Sequence, residues 1–309
     1  MARSSQPTAT ARADSPHPRL ESARARQIGP WRLDRLAAPG LHTEIYAARP
    51  AAGRGDTPAA YALKLLSSEY QSDPTVVGQF RREAAAGLQV SHPHLSSVLS
   101  ARVADPPYYL VMPWLGGANL RELIHGGGNL CLPEMLCIAR QAAEAIAALW
   151  RAGWTHGDVK PENIVVSPPL HATLIDLGFA RRADEPGWAA EPYFCGTLDY
   201  VAPEVIVSAS PPDIRSDLYS LGVTMYELFS GRLPYTAATA AEIARRRVED
   251  LPADIHKLEP ELPLDLVRLL RALLAKQPLR RPQSPEDVVQ RLARLEIETF
   301  AERTSMRKR

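Results

Sequence analysis

Eight consecutive residues, His156-Gly157-Asp158-Val159-Lys160-Pro161-Glu162-Asn163, constrain this chain more than any other stretch. They set an Asp, a Lys and an Asn at fixed offsets in a loop, directly before the apolar strand-like run Ile164-Val165-Val166. Eighteen residues after Asp158, a second strand-like run ends in Leu174-Ile175-Asp176-Leu177-Gly178. Loop and strand end supply a carboxylate able to take a proton, an ammonium able to meet a phosphate, and an amide and a carboxylate whose hard oxygens suit Mg²⁺. Phosphoryl transfer asks for such a set, because positioning and charge neutralisation lower most of its barrier.

A chain of 309 residues with 45% hydrophobic content can bury a core in one large domain or two. The formal net charge of +1 gives no electrostatic basis for binding nucleic acid or an anionic membrane. The densest basic run, Arg245-Arg246-Arg247, follows Ala-rich helical sequence and reads as a solvated helix face. Cys131, Cys137 and Cys195 fit no zinc spacing, and their odd number argues against a disulfide framework, so a reducing cytoplasm is the expected location. No apolar run approaches the length of a membrane span, and Arg3 is not followed by the apolar stretch of a secretory signal.

Residues 1–27 are rich in Ser, Thr, Ala, Arg and Pro and lack the large apolar side chains that would offset the cost of ordering, so a disordered tail is expected there. Short strands follow. A helix is expected over about 74–90, with Asp73 as N-cap and Pro74 at its first position. Residues 93–112 return to strand-like sequence. From Leu120 onward the pattern is helical, with one long helix over Pro133–Arg151 and a helix apolar on nearly every face over Leu218–Phe229, capped by Gly231.

Two charges in the first part of the chain need each other. In Tyr61-Ala62-Leu63-Lys64-Leu65-Leu66, strand alternation puts Ala62 and Lys64 on one face. In the helix after Asp73, Val76, Val77, Phe80, Ala84 and Leu88 form the inner face, and Glu83 lies at its edge. A Lys and a Glu both directed at a core are each costly alone and compatible together.

These motifs resemble those of eukaryotic-type, bacterial-like Ser/Thr protein kinases, over about residues 28–297. The resemblance implies an α+β bilobal protein-kinase-like fold: a small strand-rich N-lobe at 28–112, a hinge at 113–116, a larger helical C-lobe at 117–297 and a charged tail at 298–309. It implies ATP and Mg²⁺ as cofactors and proteins as substrates. By the same resemblance Lys64 holds the α- and β-phosphates, Glu83 positions Lys64, and Ala62 packs on the adenine. Asp158 is the base, Lys160 neutralises the γ-phosphate, and Asn163 and Asp176 hold Mg²⁺. The segment Gly196-Thr197-Leu198-Asp199-Tyr200-Val201-Ala202-Pro203-Glu204 matches the family's peptide-docking segment, where the Thr197 hydroxyl bridges Asp158 and Lys160. Glu204 is expected to pair with Arg281, and Asp217 to hold the catalytic-loop backbone. Met112 falls at the gatekeeper position, Pro113 and Leu115 read the adenine edge, and Asn119 reaches the ribose.

The chain departs from the family in three places. Its Gly-rich loop, Leu36 to Tyr46, keeps only Gly40, with Ala38 and Thr43 at the other two glycine positions, so weaker nucleotide binding or slower turnover is expected. Gly157 stands where most protein kinases have Arg, as in small-molecule phosphotransferases of kinase-like fold. That enzyme class is one alternative, and a pseudokinase acting as a binding module is another. Finally, residues 180–196 contain no Ser or Thr. Cation and phosphate acceptor are missing together, so activity is expected not to depend on phosphorylation there.

Overall fold

The computed structural model describes residues 26–52, 58–128, 130–182, 198–207 and 213–306, with side chains as far as residue 300. The N-terminal lobe is one antiparallel sheet and one helix. Strands β1 (Arg26–Ile28), β2 (Trp31–Pro39), β3 (Thr43–Pro50) and β4 (Tyr61–Leu66) precede helix α1 (Pro74–Gln89), and β5 (Ser100–Arg102) and β6 (Tyr109–Pro113) follow it. The sheet order is β1-β2-β3-β4-β6-β5. Alternation along β4 sorts its side chains between two cores. Leu63 and Leu65 join Leu33 and Val111 on one side, while Leu66 packs with Val76, Phe80 and Leu110 on the side of α1. Lys64 shares the second face.

Helix α1 starts where its sequence says. The Asp73 carboxylate accepts from the Thr75 and Val76 N–H groups at 2.8 and 3.3 Å, and Pro74 needs no N–H partner in the first turn. The buried face is centred differently from the sequence expectation. Val76, Phe80, Glu83 and Gly87 run down its middle, so Glu83 lies inside the face and only 4% exposed, whereas Leu88 falls at the margin and is 56% exposed. Gly87 allows this, because a Cβ there would lie 2.4 Å from Val98 Cγ2.

The second lobe is mostly helical. Its elements are β7 (Ala118–Asn119), α2 (Leu120–His125), α3 (Leu132–Arg151), β8 (Trp154–Thr155), β9 (Ile164–Ser167), β10 (His171–Leu174) and β11 (Arg181–Arg182). They continue with α4 (Pro203–Val207), α5 (Ile214–Ser230), α6 (Ala240–Glu249), α7 (Ile255–Leu258), α8 (Leu264–Leu273) and α9 (Pro285–Met306). Helix α5 is the central pillar: all but three of its residues are buried, and Gly231 caps it with φ of 65°. Its core cluster takes in α3, α8 and α9 and reaches Ala86 and Val90 at the end of α1, which ties the lobes together. The boundary expected at 297 falls inside α9, where Thr299 is buried and Glu296 pairs with Arg140 of α3 at 2.6 Å. No helix among the described residues is long and apolar enough to cross a membrane.

Two buried arginines staple the segment after residue 197. Arg281 binds Glu204 through two bonds of 2.6 and 2.7 Å, donates to the carbonyls of Arg215, Ala275 and Lys276, and stacks on Tyr219 at 4.8 Å. This is the pair expected from the sequence. Arg247 corrects the reading of the basic run. Arg245 and Arg246 do lie on the outer face, paired with Glu249 and Glu242, but Arg247 is 0% exposed and donates to the Asp199 and Val201 carbonyls. One turn after Ile243, it shares the inward face of α6.

Arg281→Ala would leave the Glu204 carboxylate with only the Ser216 hydroxyl as donor and take the Arg281 donor from three carbonyls. We expect a loss of about 3–5 kcal/mol, typical of breaking a buried pair, read from urea unfolding. Arg281→Lys should recover little, because one ammonium cannot reproduce a planar fork with five donors.

Candidate active site

The site lies in a cavity of about 510 Å³ between the lobes. Lys64 is its centre. Its ammonium donates to Glu83 Oε1 and Oε2 at 2.7 and 2.9 Å and to Asp176 Oδ1 at 2.8 Å. One bond pair joins β4 to α1 within the first lobe, and the third bond crosses to the second lobe. Burial alone would push the ammonium down, but the Asp176 and Glu83 carboxylates more than offset that and hold it above the usual lysine range. Burial would push Asp176 up, and Lys64 together with the Gly178 N–H reverses this and holds it at about 2. The protein encloses Asp176 from several sides, yet its side chain is 38% exposed because it opens on the cleft. Glu83 has no such outlet: burial pushes its carboxyl up, with Lys64 acting against it.

The signs fix the pH window. Asp176 has a depressed folded pKa, so its contribution is present above the usual carboxylate value and lost as pH falls toward about 2. Lys64 is raised, so its contribution is complete below the usual lysine value and lost only at still higher pH. Asp176 and Lys64 therefore both stay charged from about pH 4 to about pH 10, whereas Glu83, its carboxyl raised by burial, is the first of the three to lose its charge as pH falls.

The loop that sequence reading singled out faces them. Lys160 Nζ lies 2.7 Å from Asp158 Oδ2. Asn163 Nδ2 donates to both the Asp158 carbonyl and Asp158 Oδ2 at 2.8 Å, which fixes the amide orientation and turns Oδ1 the other way. The Ile175 N–H donates to the Asn163 carbonyl at 2.8 Å, and β9 pairs Ile164 with Leu174, so Asn163 and Asp176 are carried side by side. Beneath the loop, Asp217 of α5 accepts from the His156 and Gly157 N–H groups at 2.7 and 2.8 Å. The Asp158 N–H donates to His156 Nδ1, and Nε2 faces the Ile175 carbonyl at 3.1 Å, which assigns the ring proton to Nε2. Gly157 has φ of 80°, and a Cβ there would lie 2.6 Å from the Phe179 carbonyl oxygen. The backbone path itself suits glycine at this position.

Lys64, Glu83, Asp158, Lys160, Asn163, Asp176 and Gly40 all line the cavity, as do Ala38 and Thr43 of the glycine-poor loop. That loop closes as a tight turn, with the Gly40 N–H on the Thr43 carbonyl at 2.7 Å. Ala62, Pro113, Leu115 and Asn119 do not line this cavity. Ala62 pairs with Met112 across β4 and β6, Pro113 sits opposite Tyr61, and Leu115 follows Trp114, whose N–H donates to the Ala60 carbonyl at 3.0 Å. Asn119 caps α2: its Oδ1 accepts from the Glu122 N–H at 2.9 Å. Thr197 lies outside the described residues, as do most of residues 180–196 and the tail at 1–25.

Sequence reading missed Arg121. From α2 it donates to Glu162 Oε1 at 2.9 Å, to Glu227 of α5 and to the Tyr200 hydroxyl, while Tyr200 donates to Glu227 at 2.5 Å. Glu162 lines the cavity, so this network joins the loop at 156–163 to the segment at 198–202. Nothing in the local pattern of α2 separates Arg121 from an ordinary surface arginine. An exposed Arg35 likewise lies over the Trp114 ring at 5.0 Å, linking β2 to the segment after β6.

The protein kinase domain family matches residues 51–292, more than three quarters of the chain. This chain belongs to the protein kinase family. It is 33% identical over 264 residues to the serine/threonine-protein kinase PknA of Mycobacterium tuberculosis, covering 83% of this chain and 59% of that protein. It is 30% identical over 263 residues to PknD of the same species, covering 85% and 39%. A probable serine/threonine-protein kinase of Clostridium acetobutylicum is 28% identical over 232 residues, covering 75% and 35%. The chain thus spans between about a third and three fifths of the length of these kinases.

The buried pair makes a stability prediction. Lys64→Met would strand the Glu83 carboxylate in the interior and should cost about 3–5 kcal/mol. Lys64→Met/Glu83→Leu removes both charges and should recover most of that loss. Chemical denaturation of the three proteins checks it, and a double variant no more stable than the single one would mean that Glu83 is not stranded.

Proposed function

We propose that this kinase catalyses ATP-dependent phosphoryl transfer to Ser and Thr hydroxyls of proteins, with Mg²⁺. The observation that carries the reading is the Lys64 ammonium held between Glu83 and Asp176 in one cavity with Asp158, Lys160 and Asn163. The residues fit a divalent cation brought in by a nucleotide. Asp176 is held ionised with Oδ2 free of hydrogen bonds among the described residues, and Asn163 presents Oδ1. Among the described residues no group of three or more His, Cys, Asp or Glu could hold a metal alone. Mg²⁺ commonly completes its shell with substrate phosphates, so a two-residue site is sufficient.

In this reading Asn163 and Asp176 hold Mg²⁺, which when bound neutralises charge on the phosphate oxygens. Lys64 exchanges its Asp176 contact for the α- and β-phosphates, and Glu83 keeps it in place. Asp158 orients the acceptor hydroxyl and takes its proton on Oδ1, because Oδ2 already accepts from Asn163 and Lys160, which fix the carboxylate's orientation. Lys160 neutralises charge developing on the transferred group. Ala62, Pro113 and Leu115 read the adenine and Asn119 the ribose, although the Asn119 oxygen already serves as a cap. Thr197 bridges Asp158 and Lys160.

Protein substrates are favoured over small alcohols because the Glu204–Arg281 staple and the Arg121–Glu227–Tyr200 network build a platform beside Asp158 that a small alcohol would not need. The test uses the purified chain with labelled ATP, Mg²⁺ and a generic protein substrate. Wild type should label Ser and Thr. Asp176→Ala should give none, and Asp158→Asn should lose about 10²–10⁴-fold. Label on an aminoglycoside or a choline-like alcohol and none on protein would overturn the reading, as would nucleotide binding without transfer.

Gly157 offers no cation to a phosphorylated residue in 180–196, and its backbone favours glycine. Initial rates should therefore be unchanged by phosphatase treatment and by Tyr193→Phe, the one hydroxyl-bearing residue of 180–196. A large drop in either case would show that phosphorylation of this segment controls activity.

A further inference from the structure

A second cavity, of about 610 Å³, opens between α5, the loop 251–255 and the end of α8, and shares no residue with the catalytic cavity. Its walls are apolar. Leu251, Ile255, Leu270 and Leu274 line it, and Leu251 is 85% exposed, the most exposed of the large hydrophobic residues described. A leucine so placed beside an apolar recess has unsatisfied contact surface. Tyr226 adds a buried hydroxyl that has no hydrogen-bond partner among the described residues.

The rim is cationic. Among the lining residues Arg271, Lys276 and Arg280 stand against one carboxylate, Asp254, while Asp250 and Glu249 just outside the lining act on Lys276, so Arg280 is the cation left over. Arg271 is paired with Asp254 at 2.9 Å, and Lys276 is turned to the Arg247 carbonyl at 2.8 Å. The exposed Arg280 side chain makes no hydrogen bond or ion pair among the described residues. An apolar recess with surplus positive charge at its lip selects a ligand with an apolar group between carboxylates.

We propose that this cavity docks an acidic–apolar segment of a protein substrate. One Leu- or Phe-sized side chain enters against Leu251, Ile255 and Leu274, and flanking Asp or Glu residues meet Arg280 and Arg271. This rests on the reading of the chain as a protein kinase. Charge argues against the chain's own first 25 residues as occupant, because they carry four Arg against one Asp and one Glu. The gain to the enzyme is effective concentration: a substrate held at a second site presents its hydroxyl to Asp158 as if tethered, which lowers KM without altering the chemical step.

The test begins without nucleotide. A fluorescein-labelled peptide with Leu-Phe between two Glu residues on each side is titrated with the protein and followed by anisotropy. Saturable binding is expected, at least about tenfold weaker for Arg280→Glu, for Leu251→Ser, and for the same peptide with Lys in place of Glu. Both substitutions are on exposed residues away from the catalytic cavity. Absence of saturable binding, or equal affinity of the acidic and basic peptides, would overturn the proposal, as would indifference to both substitutions. The same segment is then appended to a Ser-containing peptide. It should lower KM by about tenfold or more in wild type, leave kcat unchanged, and confer no advantage in Arg280→Glu. A KM untouched by the appended segment overturns substrate docking. Binding with no phosphorylation of either peptide would uphold the cavity as a peptide site and overturn the kinase reading.

Discussion

One buried carboxylate sets the frame for the whole active site. Asp217 is 3% exposed on the most deeply buried helix of the structure, and its two oxygens take the N–H groups of His156 and Gly157. Those N–H groups point into the interior, so without Asp217 each would carry the cost of a lost hydrogen bond. The loop is therefore referred to α5, which packing against α3 and α8 cannot easily displace. Everything in the cleft follows by short steps. Asp158 and Asn163 are positioned by the loop, Asn163 holds the backbone of Ile175, and Asp176 comes next. The Lys64 contact to Asp176 then carries that frame into the other lobe.

The fold was legible where local chemistry and long-range packing agreed. Asp73 followed by Pro74 announced the start of α1, and the apolar run over Leu218–Phe229 announced a helix buried all round. The sequence was less informative where a face depends on its neighbours. Leu88 has the spacing of an inner residue, but Val98 packs onto Gly87 and so moves the centre of the buried face away from it. Arg247 failed for the opposite reason. Three consecutive arginines look uniform, yet helical geometry sends the third one inward, where backbone carbonyls replace water.

The chemistry of the site was more legible than its support. Lys64, Glu83, Asp158, Lys160, Asn163 and Asp176 come together in one cavity, because two short motifs and one strand–helix pair encode them. Arg121 was invisible, since its partners Glu162, Glu227 and Tyr200 are far apart in sequence and only the tertiary structure assembles them. The residues expected to read the adenine, Ala62, Pro113 and Leu115, fall between these cases. Their place along β4, β6 and the hinge follows from strand register, but register says nothing about how a base would lie against them.

The charge balance of the cleft explains why the proposed cation is integral to the reading. Lys64 and Lys160 face Glu83, Asp158, Glu162 and Asp176, so the cavity walls carry two formal positive charges against four negative. Bare phosphates would meet a net repulsion, strengthened by the low dielectric of a cleft that burial has partly dried. A divalent cation held by Asp176 and Asn163, as proposed, would cancel that excess of two negative charges. With that cation bound, Asp176 would be engaged as its ligand and Lys64 would be free to turn to phosphates, while Glu83, with no other partner among the described residues, would keep its hold on Lys64. In the proposed mechanism the Lys64–Asp176 contact would be the exchangeable one and the Lys64–Glu83 contact the one retained. The difference in exposure between the two carboxylates, one open to the cleft and one sealed in the core, is what separates those roles.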